Sequence, residues 1–237
     1  MATSTDTKAV TRLTRARNTS VATKITMAVS GLFFVFFVVF HAYGNIKMFL
    51  GPEAFDGYAH WLRDPFPHLI PPMWFLWAFR ALLAGSLIIH VYAAVRLWLR
   101  ARKARGPNAY VNHQTIATTY ASRTVRWGGI IILVFIVFHL LHFTTLTFQI
   151  GGDYHAMGPY ERMVATFSNW YMVLAYMIPI AALALHVRHG FWSALATLGA
   201  NKVRRQHWIN LVAIAAGLVV FLAFMLPPFG ILFGFIS

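Results

Sequence analysis

The chain has 237 residues, of which 59% are hydrophobic, 16% are aromatic and only 11% are charged. A soluble domain carries about 25% charged residues, so this composition favours a protein that lies in a lipid bilayer. The absence of cysteine excludes disulfides and cysteine-bound zinc or iron–sulfur sites in this chain.

Residues 1–24 form a Thr- and Arg-rich arm that precedes the first apolar stretch. Five stretches then have the roughly 20 mainly apolar residues that a transmembrane helix needs, and together they form a single membrane domain over residues 25–237. They lie near residues 25–50, 73–99, 126–150, 166–198 and 207–235. The apolar runs do not alternate between lumen-facing and lipid-facing residues, which argues against a β-barrel. The sequence therefore predicts an all-α membrane protein with a bundle of five transmembrane helices.

The net charge of +14 comes from Lys and Arg residues that cluster on one side of the predicted spans. The opposite side has five of the six acids and only three basic residues, Lys47, Arg63 and Arg162. By the positive-inside rule, the N-terminus is predicted to be cytoplasmic and the C-terminus external. The basic face suits an acidic protein partner, and no nucleic-acid partner is predicted.

Four histidines lie deep in four different predicted spans: His41, His90, His139 and His186. An ionisable group inside a bilayer is costly and normally faces the bundle interior, and neutral imidazole is a common axial ligand of haem iron. At a rise of about 1.5 Å per residue, His41 and His139 lie about 20–25 Å from the cytoplasmic edge, whereas His90 and His186 lie in the cytoplasmic half. The depths predict an outer pair, His41 with His139, and an inner pair, His90 with His186, each holding one haem.

Two further histidines, His142 and His189, each follow a proposed ligand by three residues. This spacing places each of them on a neighbouring face of its helix. Each is an alternative to the ligand that precedes it, although a bond to a haem propionate, a quinone or structural water is favoured.

Three arginines are candidate partners of haem propionates. Arg126 and Arg188 lie at about the level of the inner haem, where arginines also serve as interfacial anchors. Arg80 lies inside the second predicted span and is costly there without a partner. An outer propionate and Asp64 are the partners considered for it.

The arrangement resembles the cytochrome b membrane-anchor subunit of succinate dehydrogenases and fumarate reductases, in the single-chain, five-helix, two-haem class. The resemblance covers about residues 24–235. Its specific parts are one histidine in each of the first four helices at spacings of 49, 49 and 47 residues, Arg126-x-x-Gly129 thirteen residues before His139, and His186-x-x-x-Gly190-x-Trp192-Ser193 running on to Leu198-Gly199. In that family the first- and third-helix histidines bind the distal haem and the other two bind the proximal haem, which agrees with the pairs obtained from depth.

The resemblance implies two b-type haems in this chain and menaquinone, or another quinone, as the substrate near the outer side. It also implies a bacterial plasma membrane and two partner subunits, a flavoprotein with covalent FAD and an iron–sulfur protein that docks on the basic cytoplasmic face. Electrons from succinate would pass through the iron–sulfur clusters, the inner haem and the outer haem to the quinone. Fumarate reduction by the reverse route and a higher oligomer of the complex are equally compatible with this architecture.

Some members of that family carry glutamates within the helices for proton transfer, and this chain has no carboxylate inside any predicted span. A proton route here would use His142, His189, tyrosines or water.

Two other functions share some of these features. The γ subunit of nitrate reductase also has five helices and four histidine ligands, but its ligands lie on two helices, whereas here four helices carry one each. A haem-free transporter or structural anchor would use the histidines as proton relays. Transporters usually show inverted repeats and helices broken near the midplane. The sequence shows neither feature clearly, and Pro179 in the fourth predicted span is a candidate kink.

Overall fold

The structure, a computed structural model, describes residues 19–106, 120–199 and 203–237. Residues 1–18 of the predicted N-terminal arm lie outside the described residues, as do 107–119 and 200–202 of the basic connections. Within the described ranges the chain is α-helical and contains no β-strand.

Five of the helices in these ranges are long and apolar enough to cross a membrane. They are α1 (Ser20–Ile46), α3 (Trp74–Arg105), α4 (Tyr120–Phe143), α6 (Trp170–Thr197) and α7 (Gln206–Leu232). Two shorter helices, α2 (Pro52–Arg63) and α5 (Pro159–Phe167), lie in the connections. Short 3-10 turns cover Lys47–Leu50 and Val203–Arg205. The predicted bundle of five membrane-spanning helices is confirmed.

The third span is shorter than the sequence suggests, because α4 ends at Phe143 and not near residue 150. The backbone N–H groups of Thr147 and Phe148 turn back to bond the carbonyl of Leu141. Leu146 has a φ of 57°, which belongs to the left-handed region that most side chains avoid. Residues 144–150 are still largely apolar, so hydropathy did not reveal this turn.

The predicted fourth span, residues 166–198, is divided between two helices, because α5 ends at Phe167 and α6 begins at Trp170. Helices α2 and α5 were predicted only as polar connections. Each begins at a Gly-Pro step, Gly51-Pro52 or Gly158-Pro159, and proline in the first helical turn loses no hydrogen bond.

Helices α1 and α6 pack against each other in the middle of the bundle, and α7 covers both of them. Helix α3 packs on α1, whereas α4 packs on α6. The close approach of α6 and α7 depends on Gly217, where a Cβ would lie 2.8 Å from the carbonyl oxygen of Ala184, as is usual for small residues between membrane helices. Among the described residues, neither α1 with α4 nor α3 with α6 forms an extensive backbone contact.

Helices α2 and α5 and residues 233–237 form a cap over the end of the bundle that is predicted to be external. The Asp56 carboxylate on α2 accepts the N–H of Tyr160 in the first turn of α5, at 2.8 Å. The Tyr160 hydroxyl donates to the carbonyl of Ser237, at 3.2 Å, and the neighbouring Ile236 is buried. The Asp56 carboxylate on α2 therefore accepts a backbone N–H at the N-terminus of α5, which has no partner within its own helix, and so links the two helices of the cap.

Replacing Asp56 with alanine removes this acceptor, and we expect a loss of about 1 kcal/mol, as for other helix N-caps. The loss is measured as a lower midpoint of thermal unfolding in detergent, followed by circular dichroism. Asp64→Ala is the matched control, because the Asp64 side chain makes no hydrogen bond or ion pair with the described residues. Equal midpoints for Asp56→Ala and the wild type would contradict the role given to Asp56.

Candidate functional site

The outer pair joins α1 to α4. The rings of His41 and His139 are in edge-to-face contact, with their centroids 5.9 Å apart and their planes at 78°. Since α1 and α4 do not pack extensively on each other, the two histidines meet across a gap between helices. The pair is enclosed by aromatic rings, those of Phe37, Phe135, Phe143, Tyr176 and Phe224.

The inner pair joins α3 to α6, which also lack an extensive contact. The ring centroids of His90 and His186 are 6.2 Å apart and the planes meet at 62°. An iron ion between two imidazoles, with metal–nitrogen bonds of about 2 Å, holds the ring centroids about 6 Å apart. The spacing of both pairs is therefore compatible with two ligands of one metal ion, as it is with an ordinary edge-to-face ring contact, and the ligand role itself stays a prediction.

A hydrogen bond orients the ring of His90. Its Nδ1 lies 3.0 Å from the Ser30 hydroxyl oxygen, and that hydroxyl lies 2.8 Å from the carbonyl oxygen of Thr26 and 3.2 Å from that of Met27. When the hydroxyl donates its one proton to a backbone carbonyl, its oxygen accepts the proton of His90 Nδ1. The Nε2 of His90 is then unprotonated and has the free lone pair that a metal ligand requires.

The two helices that carry the outer pair each have a glycine at the level of the inner pair. A Cβ at Gly31 of α1 would lie 3.3 Å from Cε1 of His90, and a Cβ at Gly129 of α4 would lie 3.8 Å from Cε1 of His186. Each glycine precedes the outer-pair histidine of its own helix by ten positions. Ten residues of α-helix rise about 15 Å, so the two pairs lie about 15 Å apart along the bundle.

Two imidazole nitrogens at the site are unpaired. The Nδ1 atoms of His139 and His186 are buried and have no hydrogen-bond partner in the structure. A buried polar group without a partner costs about 1–3 kcal/mol, and ionisable groups kept inside a membrane despite such a cost usually serve a function. These two rings are therefore candidates for a functional role.

His142 has a different environment from the four paired histidines. It is 0% exposed, and its Nδ1 and Nε2 lie 2.8 Å from the Tyr176 hydroxyl and 2.9 Å from the Tyr154 hydroxyl. Both ring nitrogens are thus engaged, so His142 cannot replace His139 as a ligand in this arrangement. Sequence reasoning left this alternative open, because Tyr154 lies in a connection whose path could not be predicted.

The other candidates around the inner pair are less enclosed. His189 is half-buried and contacts the ring of Trp192, with centroids 6.4 Å apart. Arg126 is exposed, and Arg188 is half-buried on the side of α6 that meets α7, where its Cβ lies 3.3 Å from a Cβ built on Gly217. These three residues keep their predicted roles as candidates for propionate or quinone contacts.

Arg80 lies half-buried in α3, with its guanidinium carbon 5.0 Å from the centroid of the Trp77 ring. The described residues show no ion pair between Arg80 and Asp64. Arg80 therefore makes a cation–π contact with Trp77 in place of the ion pair with Asp64 that the sequence suggested.

A cavity of about 500 Å³ opens at the cap, beyond the outer end of α1. Lys47 lies in its wall, with Nζ 5.0 Å from the Tyr43 ring centroid and 5.5 Å from that of Tyr58. Burial, and then the neighbouring Tyr43, raise the pKa of the Tyr58 phenol, so the phenol remains a hydrogen-bond donor at neutral pH. The wall also includes Leu50, Glu53, Gly57 and Trp61. Sequence analysis missed this cavity, because α2 was not recognised as a helix.

The donor set suits a haem better than a bare metal ion. Among the described residues, no group of three or more His, Asp or Glu side chains could hold a metal ion. Zinc, calcium and magnesium sites need three or more protein ligands as a rule, whereas haem iron already has its porphyrin nitrogens and needs only axial ligands. Paired histidines are the set that a six-coordinate haem requires.

The chain matches no protein-family model, no curated protein and no solved structure in comparisons with known proteins. Its function is therefore inferred from its fold, the geometry of the two histidine pairs and the resemblance seen in its sequence.

Proposed function

We propose that this chain is the two-haem cytochrome b membrane anchor of a succinate:quinone oxidoreductase. The observation that carries the proposal is the placement of four histidines from four helices as two close pairs at two levels. Each pair lies between helices that do not pack extensively on each other. The resemblance found in the sequence supplies the particular respiratory complex.

In this proposal His41 and His139 hold the outer haem, whereas His90 and His186 hold the inner haem. Each bound haem supplies a one-electron carrier. The Ser30 hydroxyl, hydrogen-bonded to Nδ1 of His90, would orient this ring with Nε2 free, and the apolar rings around the outer pair would keep water away from that pair. Two levels about 15 Å apart extend over much of the roughly 30 Å hydrocarbon layer.

The remaining parts of the proposal concern the two ends of the bundle. The basic end would face the cytoplasm and bind the iron–sulfur subunit, which connects to the flavoprotein with covalent FAD. Menaquinone would react near the cap, where the cavity beside Lys47 offers aromatic rings, a cation and the Glu53 carboxylate. A bacterial plasma membrane is the proposed location.

The alternatives fit the geometry less well. A cytochrome like the γ subunit of nitrate reductase has its four ligands on two helices, two on each, whereas here four helices carry one histidine each. A haem-free transporter or anchor that uses the histidines as proton relays would not require them to meet as two close pairs.

The proposal predicts two b-type haems per chain in the purified complex. Haem is measured by the reduced-minus-oxidised absorption spectrum and by pyridine haemochrome analysis against protein concentration. A colourless complex that contains the full-length, folded chain would overturn the proposal, and one haem per chain would exclude the two-pair arrangement.

Single replacements should remove the haems selectively. His90→Ala or His186→Ala should abolish the inner haem, because one axial nitrogen is lost, whereas His41→Ala or His139→Ala should abolish the outer haem. Redox titration of the membranes separates the two components. Retention of both haems in any of these variants, or a ligand role for His189 shown by loss of haem in His189→Ala alone, would show that the pairs are wrongly assigned.

Ser30→Ala tests the hydrogen bond to His90. We expect the inner haem to be held more weakly, with about a 10- to 100-fold loss of affinity, as for other residues that hydrogen-bond metal-binding histidines. Retention of inner haem is followed during exposure to a haem-scavenging apoprotein. Thr197→Ala is a control far along the bundle, because Thr197 only bonds the carbonyl of Ser193 in its own helix. Equal rates of haem loss in Ser30→Ala and the control would contradict the role of Ser30.

A further inference from the structure

The two pairs differ in how their histidines are oriented. His90 of the inner pair is held by its hydrogen bond to Ser30, whereas Nδ1 of His139 in the outer pair has no partner. The orientation of the His139 ring therefore depends on the side chains packed around it. Of these, Tyr176 is the one whose own position is fixed by a buried polar network.

The Tyr176 ring is in contact with much of the aromatic cluster around the outer pair. Its centroid lies 6.2 Å from that of His139 at an interplanar angle of 72°. Phe135 and Phe167 pack edge-on against it at 5.0 Å. Any rotation or shift of Tyr176 is therefore transmitted to His139 by direct contact, because a close-packed interior leaves no space to absorb it.

A hydrogen-bond network lies behind Tyr176. The Tyr176 hydroxyl lies 2.8 Å from Nδ1 of His142, and Nε2 of His142 lies 2.9 Å from the Tyr154 hydroxyl. The Tyr154 hydroxyl is also within hydrogen-bond distance of the Thr166 hydroxyl, at 2.5 Å, and of the carbonyl of Ile150, at 3.1 Å. Both ring nitrogens of His142 are therefore bonded, and the network holds the His142 ring and the Tyr176 hydroxyl in place with either tautomer of His142.

This network is entirely buried, since His142, Tyr154 and Thr166 are each 0% exposed. In so apolar a setting a fully satisfied network is rigid, because breaking any bond leaves a polar group without a partner. It also reaches from α4 through the connection after it to α5 and α6, so it ties the aromatic cluster to the cap.

We infer that His142, acting through Tyr176, is a positioning residue that fixes the orientation of the His139 imidazole and thereby sets the electronic properties of the outer haem alone. The inference rests on the proposed function, because it assigns a role at the outer haem. His142 is neither a ligand nor a propionate partner in this account.

The deciding variant is Tyr176→Phe, which removes the hydroxyl and keeps the ring with all its apolar contacts. The readout is the low-spin electron paramagnetic resonance spectrum of the oxidised complex, in which the largest g value depends on the orientation of the two axial imidazoles. We expect the outer-haem signal to shift and the inner-haem signal to stay in place. Redox titration should show the same selectivity in the midpoint potentials.

A second variant, His142→Leu, should shift the outer signal in the same direction and by a larger amount. His155→Leu is the matched control, because His155 is exposed beside Tyr154 and its side chain is outside the network. If His142→Leu does not accumulate, Tyr176→Phe decides alone. An unshifted outer signal in Tyr176→Phe, or equal shifts of both haems, overturns the inference. A wild-type complex with no haem instead overturns the proposed function, so the two failures are distinguishable.

Discussion

The cost of placing a polar side chain in hydrocarbon governs this molecule. Inside a bilayer no water can satisfy an imidazole or a hydroxyl, so each polar group must find a protein partner, bind a ligand or remain at a cost. The histidines within the helices fall into two groups, those whose ring nitrogens have protein partners and those with an unpaired nitrogen. His142 satisfies both ring nitrogens with tyrosine hydroxyls, whereas His139 and His186 each keep an unpaired nitrogen. The same residue type thus serves as a structural link at one position and as a candidate ligand at others.

The same spacing of a glycine and a histidine occurs on two helices of the bundle. Helices α1 and α4 each carry a glycine and, ten positions later, a histidine. In each helix the glycine lies beside an inner histidine that belongs to another helix. Helices α1 and α6 pack in the middle, α3 flanks α1 and α4 flanks α6. The outer pair therefore joins α1 to α4, and the inner pair joins α6 to α3. The gaps that result are lined by imidazole and aromatic rings and lack a backbone contact that would close them.

The five spans were predictable, because length and hydropathy suffice for a helix surrounded by lipid. The neighbourhood of His41 with His139 and of His90 with His186 was also predictable, since the helical rise converts sequence position into depth. The end of α4 was not, because residues 144–150 turn without becoming polar. Ser30 and Tyr154 could not be identified either. Their importance depends on which helix faces which and on the path of a connection, and neither is encoded in a local pattern.

The cap has a consequence for the order of assembly. Asp56 and Tyr160 are 104 positions apart, and Tyr160 bonds a carbonyl 77 positions further along. Residues 233–237 follow the fifth span, so the cap can be completed only after α7 has been inserted. Contacts between such distant segments form late, since the entropy of closing the long loops must first be overcome. The end of the bundle nearest His41 and His139 therefore stays accessible from outside the membrane until the whole bundle is in place.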